Sequence, residues 1–149
     1  MRVVLQRVKR ASVSIDGQKT GEIGNGLLLL VGFKEGDGQK EIAYLAHKVA
    51  NVRIFSDNAG KMNLSVKQVA GGVLSISQFT LYAATRKGNR PSFTEAQDPK
   101  VAAKNYQLFD AALRTEGLDV AEGVFGANMQ VELVNDGPVT IIYDTENNH

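Results

Sequence analysis

The sequence has no cysteine and no tryptophan among its 149 residues. Without cysteine it has no disulfide framework, no thiol nucleophile and no zinc site built on sulfur. The hydrophobic content of 43% is ordinary for a globular domain, and a chain of this length can bury a core without such cross-links. We therefore exclude the disulfide-rich and zinc-finger classes, and we expect neither a metal nor another cofactor.

Histidine is scarce, since only His47 and His149 are present. A Ser-His-Asp arrangement would have to use one of them, but His47 lies within a predicted helix, where a solvated side chain is the favoured interpretation. The sequence also lacks an HExxH motif, an EF-hand loop, a Walker A loop and a GxGxxG motif. The common metal, phosphate-loop and dinucleotide sites are therefore not indicated.

Long apolar runs and an excess of one charge are also missing. The longest strongly apolar run, residues 27–31, is too short to cross a bilayer, and the N-terminus lacks the features of a signal peptide. The 17 basic and 16 acidic residues leave a net charge of +1, which argues against a protein that grips an extended nucleic-acid duplex. We expect a soluble, cytoplasmic protein without a membrane segment, able to contact one end of an RNA through a few local cations.

Short runs rich in Val, Leu and Ile predict strands. They cover residues 2–8, 11–15, 19–23, 27–33, 73–79, 129–134 and 139–143. The run at 27–33 is continuously apolar, so we expect that strand to be buried on both faces.

Two helices are predicted between the strand groups. The first is capped by Asp37, and the second has Asp98 as its N-cap, Pro99 at its first position and Gly117 just past its end. Their inward-facing positions recur at helical spacing: Ile42, Leu45, Ala46 and Val49 in the first, and Ala102, Tyr106, Phe109 and Leu113 in the second.

This pattern predicts an α/β (α+β) fold: a mixed, strongly curved sheet or partly closed barrel with two main helices packed against it. No linker or repeat divides the chain, so we expect a single domain spanning residues 1–149. The polar end, residues 145–149, is predicted to be frayed.

Residues 75–83 hold the first segment that composition does not explain. Ser77, Gln78 and Thr80 surround Phe79 at the end of a predicted strand, where alternation would place Gln78 and Thr80 on the face opposite Ser77. Free backbone N–H groups at such a strand end can stabilise a developing oxyanion. The alternative is a polar strand end with a capping hydroxyl.

Residues 135–140, Asn-Asp-Gly-Pro-Val-Thr, form the second such segment. One interpretation is a plain hairpin turn between two strands. The other is a cis Gly137–Pro138 bond, which a fold can impose at little cost because X-Pro bonds prefer trans only weakly.

These two segments resemble the two signature motifs of the D-aminoacyl-tRNA deacylases, also known as the D-tyrosyl-tRNA deacylase family. Further matches to the family occur in order along the chain, at residues 6–8 with 11–13, 53–55, 61–64, 90–93 and 129–131. The resemblance extends from about residue 1 to residue 144 and shows no departure within either motif.

The resemblance implies hydrolysis of the ester that links a D-amino acid to tRNA, in a proofreading step that protects translation. It also implies a homodimer in which Gly137 and Pro138, joined by a cis bond, enter the active site of the other subunit. Main-chain atoms there would exclude an L-residue by collision, while glycine, including glycine mischarged on tRNA-Ala, would be accepted. We expect Arg7 to hold carbonyl oxygens near this motif rather than to touch the substrate.

Ser77, Gln78, Phe79 and Thr80 are the candidate catalytic residues, with two mechanisms open. Thr80 can act as a covalent nucleophile, although no base lies near it in sequence. Alternatively, water attacks with help from the ribose 2′-OH, the N–H groups near Phe79 and Thr80 hold the oxyanion, and Thr80 is a contact. We favour the second mechanism.

The tRNA end needs further contacts. Residues 125–129, with Phe125 and Met129 at their ends, suit a single-stranded base, although a plain loop entering a strand explains them equally well. Residues 86–90 form a basic loop that can meet acceptor-stem phosphates, and a solvated charged loop is the alternative. Two rival functions stay open: a non-catalytic module that binds RNA ends, and a general esterase that uses Thr80.

Overall fold

The computed structural model describes residues 1–147. Within them, eight strands and two helices follow in the order β1 (Arg2–Ile15), β2 (Gln18–Ile23), β3 (Gly26–Gly32), α1 (Gln39–Asn51), β4 (Phe55–Ser56), β5 (Met62–Leu64), β6 (Gly72–Ser77), α2 (Pro99–Thr115), β7 (Asp119–Glu122) and β8 (Gln130–Asp144). A 3-10 turn, Phe79–Tyr82, follows β6.

The sheet is organised around β1. Its strand order is β2-β1-β3-β6-β7, and β8 also pairs with β1. The pairs made by β1 are antiparallel, whereas β3–β6 and β6–β7 are parallel. Because β3 pairs with Arg2–Val8 and β2 with Ala11–Ile15, one long strand serves two parts of a sheet that coils almost into a closed barrel. The predicted mixed, strongly curved sheet with two helices packed against it is confirmed.

Both faces of β3 are buried, as its apolar run predicts. Leu27 and Leu29 belong to the core cluster formed with the two helices, whereas Leu28 belongs to a second cluster on the other face of the sheet. The predicted inward positions of both helices are buried as well. Burying a large apolar side chain contributes about 1.5–3 kcal/mol, so this amphipathic pattern is what fixes the helices on the sheet.

The two helix starts differ in how well the sequence predicts them. The carboxylate of Asp98 accepts hydrogen bonds from the Lys100 and Val101 N–H groups at 3.0 and 3.4 Å, which confirms it as the N-cap of α2. The prediction for Asp37 is wrong, since α1 is capped by Gly38. The Asp37 carboxylate instead accepts from the Lys34 N–H at 2.6 Å and pairs with the Met1 amino group at 2.6 Å.

Two predicted strand breaks do not exist. Residues 2–8 and 11–15 are parts of β1, and residues 129–134 and 139–143 fall mainly within β8. The hairpin turn considered for residues 135–138 is therefore wrong. Gln6 pairs with Thr140 and Val8 with Asn135, so the four residues 136–139 bulge out opposite the single residue Arg7. A polar sequence with Gly and Pro predicts that the chain reverses direction. A bulge accommodates the same residues while the strand continues.

Other differences concern short elements. The strand predicted at 73–79 ends at Ser77, because the chain turns into the 3-10 turn. The expected alternation of Gln78 and Thr80 with Ser77 and Phe79 therefore does not apply. β4, β5 and β7 have only 2, 3 and 4 residues, too few to display a periodic pattern.

The C-terminal segment is described up to Asn147. The Thr145 side chain accepts a hydrogen bond from the Met1 amino group at 2.8 Å, and Glu146 pairs with Lys34 at 2.8 Å. Asn148 and His149, the end of the tail predicted to be frayed, lie outside the described residues. Neither α1 nor α2 is long and apolar enough to span a bilayer.

Candidate active site

A cavity of about 580 Å³ opens where the parallel strands β3 and β6 end. This volume lies within the range of small-molecule sites, and crevices at the carboxyl ends of parallel strands are common binding positions. Val31, Gly32 and Phe33 form one side, and Ser77, Gln78 and Phe79 form the next. The N-terminus of α2 and the loop that contains Phe125 complete the wall.

The turn after β6 presents both polar and aromatic groups to this cavity. The Gln78 N–H donates to the Val31 carbonyl oxygen at 2.7 Å, which continues the β3–β6 pairing for one more bond. Phe79 is then 57% exposed and packs edge-on against Phe93, with ring centroids 5.0 Å apart. Among residues 1–147, the N–H groups of Phe79 and Thr80 have no backbone acceptor, as expected for the start of a helical turn. Phe79 lines the cavity, and Thr80 is exposed next to it without being among the lining residues, so both N–H groups are free to donate to a ligand.

The hydrogen-bond partner of the Thr80 hydroxyl cannot activate it as a nucleophile. The Gln78 side-chain amide donates to its Oγ1, and an amide does not accept a proton from a hydroxyl at neutral pH. Asp98 is the one carboxylate among the residues described as lining the cavity, and it caps α2. His47 is exposed on α1 and pairs with Glu116 at 3.3 Å. The described part of the site therefore offers Thr80 no general base.

The opposite wall of the cavity contains Phe125 and Met129. Both line it together with Ser77, Gln78 and Phe79, so the structure brings the candidate catalytic residues 77–79 and the candidate base-binding residues 125–129 to one cavity. The ring of Phe125 lies 6.3 Å from that of Tyr106 on α2. An aromatic face beside small residues suits the stacking of a flat base.

Gly137 and Pro138 lie elsewhere. They are exposed on the β8 bulge and are not among the residues that line the cavity of their own protomer. Their peptide bond is cis, and Gly137 has φ +138°, a conformation that favours glycine. A Cβ added at Gly137 would lie 2.8 Å from Val139 Cγ2 and 3.1 Å from Arg7 Nη2, so the position is also too crowded for a larger residue.

The bulge is fixed by two side chains. Arg7, only 9% exposed, donates from Nε to the Asp136 carbonyl oxygen at 2.9 Å and from Nη1 to the Ile54 carbonyl oxygen. The prediction that Arg7 holds carbonyl oxygens near the Gly-Pro segment is confirmed. Asn135 holds the other end, since its amide accepts from the Val139 N–H at 2.7 Å and donates to the Val139 carbonyl oxygen at 3.2 Å.

Sequence analysis missed several members of the site. Phe93 and Gln97 line the cavity, and Asn135 clamps the bulge. Gln97 is buried and donates to the Asp37 carbonyl oxygen at 3.0 Å. Phe93 and Gln97 lie in the loop between the 3-10 turn and α2, where no periodic signal reveals them, whereas Asn135 lies in β8 within the motif at 135–140. Within residues 1–147, His, Asp and Glu side chains form no group of three able to hold a metal ion.

Comparison with known proteins identifies the family. The model of the D-Tyr-tRNA(Tyr) deacylase family matches residues 4–144. The chain belongs to this family. The D-Tyr-tRNA deacylases are hydrolases that act on the ester bond of D-aminoacyl-tRNA, and this chain is accordingly a carboxylic-ester hydrolase of that type.

Two solved structures share the fold of this chain. A protein described as c-Myc DNA Unwinding Element Binding Protein is 40% identical, with a TM-score of 0.91 over 97% of this chain and 99% of that one. A protein described as a probable eukaryotic D-amino acid tRNA deacylase has a TM-score of 0.82 at 16% identity, over 95% of this chain and 97% of that one. The second likeness shows the fold alone.

The clamp on the bulge gives a testable result. Arg7→Met removes the guanidinium and leaves the Asp136 and Ile54 carbonyl oxygens without their donors. Because hydrogen bonds to charged groups contribute more than neutral ones, we expect the free energy of unfolding to fall by about 3 kcal/mol, measured by urea denaturation.

Lys9→Met is the matched control. The Lys9 side chain is 65% exposed and lies 3.6 Å from the Asp136 carboxylate, and such surface pairs contribute about 0–1 kcal/mol. Equal losses in the two variants would contradict the clamp.

Proposed function

We propose that this hydrolase removes D-amino acids, and glycine mischarged on tRNA-Ala, from tRNA and rejects L-aminoacyl-tRNA by collision with the Gly137–Pro138 bulge of a partner protomer. In this role it binds the aminoacylated 3′ end of tRNA and acts in the cytoplasm, where it protects translation. The observation that carries the proposal is the bulge itself, which is rigidly held and exposed, yet lies outside the cavity of its own chain.

The position of the bulge supports a homodimer. A rigid, glycine-containing projection that serves no cavity of its own chain fits an isologous pair, in which each protomer presents the same segment to the other. β8 adds an exposed strand with outward apolar side chains, since Ile142 is 69% and Val134 is 36% exposed. Apolar exposure on an edge strand is typical of a surface that is covered by another chain.

The way the bulge is held also supports selection by chirality. The hydrogen bonds of Arg7 and Asn135 fix main-chain atoms, so these atoms cannot move aside for a bulky group. A D-residue directs its hydrogen toward the main chain, whereas an L-residue directs its side chain there. Glycine has no side chain in either direction and is accepted. Selection by fixed main-chain atoms is indifferent to the type of D-side chain.

The lining of the cavity supports hydrolysis without a protein base. The free N–H groups of Phe79 and Thr80 are placed to hold the oxyanion that forms when water attacks the ester. The terminal ribose 2′-OH assists that water, Gln78 and Ser77 position the ester, and Thr80 contacts it. Phe125 and Met129 hold the terminal adenosine.

The loop at residues 86–90 extends this proposal to the acceptor stem. An antiparallel bridge closes the loop, since the Ala84 and Ser92 backbones exchange hydrogen bonds of 2.7 and 3.0 Å. Phe93, the next residue, lines the cavity. Arg86, Lys87 and Arg90 are exposed and are therefore available to phosphates close to the bound 3′ end.

Duplex DNA binding, which the description of the 40% identical relative suggests for that protein, is not the function that this geometry favours. The net charge of +1 provides no extended cationic surface, and the cavity suits one flipped or single-stranded nucleotide.

Chiral selection is tested by comparing D-tyrosyl-tRNA, L-tyrosyl-tRNA and glycyl-tRNA as substrates. A clash that costs about 3 kcal/mol corresponds to about 10²-fold in rate, so we expect kcat/KM for the D-substrate to exceed that for the L-substrate by at least this factor. Glycyl-tRNA is expected to resemble the D-substrate. Hydrolysis of both enantiomers at similar rates would refute chiral selection.

The contribution of the partner protomer is tested with two inactive variants. Ala127→Trp fills the cavity, and Gly137→Ala crowds the bulge. When the two chains are co-expressed with different affinity tags, the purified heterodimer combines the open cavity of one chain with the native bulge of the other.

One of its two sites is then intact, so we expect about half of the native activity. The control is each variant purified as a homodimer, which is expected to be inactive. A heterodimer as inactive as the homodimers, or a monomer in size-exclusion chromatography, would refute the cross-protomer site.

The role of Thr80 is tested by Thr80→Ala. If Thr80 is a contact, kcat is expected to fall by less than about tenfold, whereas removal of a nucleophile costs several orders of magnitude. A tRNA that ends in 2′-deoxyadenosine is the companion substrate, because assistance by the 2′-OH predicts that it reacts poorly. A large loss with Thr80→Ala and a normal rate with the deoxy substrate would favour the nucleophile instead.

A further inference from the structure

Asp110 is a carboxylic acid completely enclosed in the protein. It lies on α2 with 0% of its surface exposed, and neither carboxyl oxygen has a hydrogen-bond partner among residues 1–147. A buried carboxylate without a partner is strongly disfavoured, whereas the neutral acid can be accommodated. Nothing in the proposed hydrolysis uses this group directly.

The groups that face Asp110 determine its charge. They are Ser75 on β6, Glu122 on β7, and Tyr106 and Arg114 on α2. The pKa of Asp110 is raised to about 8, first by burial and then by the neighbouring Glu122, while Ser75 and Arg114 act in the opposite direction. Arg114 is already paired with Glu122 at 3.4 Å, and Asp110 keeps its proton at neutral pH.

Three elements meet beside this acid at the Ser75 carbonyl oxygen. It accepts a hydrogen bond from the Tyr106 hydroxyl at 2.7 Å and another from the Gly123 N–H at 3.1 Å. These bonds tie α2 and the chain leaving β7 to β6. Ser75 itself is fully buried, so the junction is shielded from water. Hydrogen bonds are stronger in such a shielded interior than in water.

The junction lies directly behind both walls of the cavity. Ser77 is two residues beyond Ser75, and Phe125 is two residues beyond Gly123. The Tyr106 ring also packs against the ring of Phe125. A shift of α2 against β6 therefore changes the distance between the wall proposed to hold the ester and the wall proposed to hold the adenosine.

We propose that Asp110, Ser75, Tyr106 and Glu122 form a positioning cluster that sets the separation of the two cavity walls, and that the cluster requires Asp110 to be uncharged. This inference rests on the proposed function. It adds a regulatory property to that function, namely reversible loss of activity in mild alkali.

The sign of the pH effect follows from the charges. Below about pH 8, Asp110 is protonated and carries no charge inside the protein. Above that pH, Asp110 loses its proton and becomes a buried carboxylate without a hydrogen-bond partner among residues 1–147, which is strongly disfavoured. Movement of α2 away from β6 and β7 admits water to this charge, and the cavity walls separate.

The test is the pH profile of kcat/KM for D-tyrosyl-tRNA from pH 6 to pH 10, with spontaneous ester hydrolysis subtracted at each pH. For the native enzyme we expect a decline governed by one proton, to about one tenth of its maximum at pH 9. Asp110→Asn has nearly the same shape but cannot ionise, so it is expected to keep the neutral rate within about twofold and to lose the decline.

Asp119→Asn is the matched control, because Asp119 is an exposed acid on β7. It is expected to show the native profile. The inference is overturned if Asp110→Asn declines as the native enzyme does, or if the native enzyme shows no decline.

Tyr106→Phe tests the junction without altering charge. It keeps the ring and removes the hydroxyl that donates to Ser75. We expect KM to rise about fivefold with kcat changed by less than about twofold, because the adenosine wall is displaced. An unchanged KM would overturn the positioning role.

Carboxyl-carbon NMR of the native protein separates this inference from the proposed function. An Asp110 resonance that titrates near pH 8 supports the cluster, and one that titrates below pH 6 overturns it, whether or not the protein deacylates tRNA or either variant folds. Absence of D-aminoacyl-tRNA hydrolysis by the native protein at pH 7 would refute the proposed function instead.

Discussion

The pairing of β1 with β8 is the constraint on which the rest of the structure depends. Between Gln6–Thr140 and Val8–Asn135 the register slips, so that four residues of β8 lie opposite Arg7 alone. A bulge of this size leaves several main-chain groups without ladder partners, and a side chain from within the sheet must supply donors. Arg7 does so from a buried position. Without that slip, Gly137 and Pro138 would lie flat in the strand and present nothing to a neighbouring molecule.

The cavity contrasts with those of most hydrolases because its described lining offers no free acid or base. The work it can do is to position a ligand, exclude water from most directions and present N–H groups to a developing negative charge. Such contributions are large when donors are fixed in advance. An aminoacyl ester carries its own neighbouring hydroxyl, so a site of this kind matches a substrate that brings part of its own chemistry. Asp110, by contrast, is a carboxyl group that is buried in the fold and absent from the lining of the cavity.

The sequence predicts the elements whose signals are local. Asp98 and Pro99 mark the start of α2 because capping and the fixed φ of proline act within one turn, and the apolar run of β3 predicts burial on both faces. Asp37 has the same local signature as Asp98, yet its carboxylate is used by the Met1 amino group and the Lys34 N–H instead. Residues 135–138 likewise have the composition of a turn, because the bulge that they form depends on β1, about 130 positions away. Local sequence signals cannot show that a distant part of the chain will override them.

The same division applies to the site. Residues 77–80 stand out as an unusual segment and residues 125–129 are compatible with a plain loop, but the meeting of Ser77 and Phe125 in one cavity depends on the parallel pairing of β3 with β6 and on the course of the chain after β7. Gln97 carries no sequence signal, since an ordinary loop residue becomes part of the wall only when α2 is in place, and Phe93 stands out only through the family resemblance at residues 90–93. Arg7 is recognisable because a charged residue in an apolar strand requires a partner, and the segment that supplies this partner follows from the family resemblance.

The two partners of Arg7 have one property in common that limits how the sequence can vary. Both Asp136 and Ile54 accept through the carbonyl oxygen, a group that every residue type carries in the same place. A substitution at position 54 or 136 can change packing or surface charge, but it leaves the acceptor present. No other side chain reproduces the planar fork of donors at position 7. The clamp therefore requires a particular side chain only at position 7, while positions 54 and 136 can be substituted without loss of the acceptor.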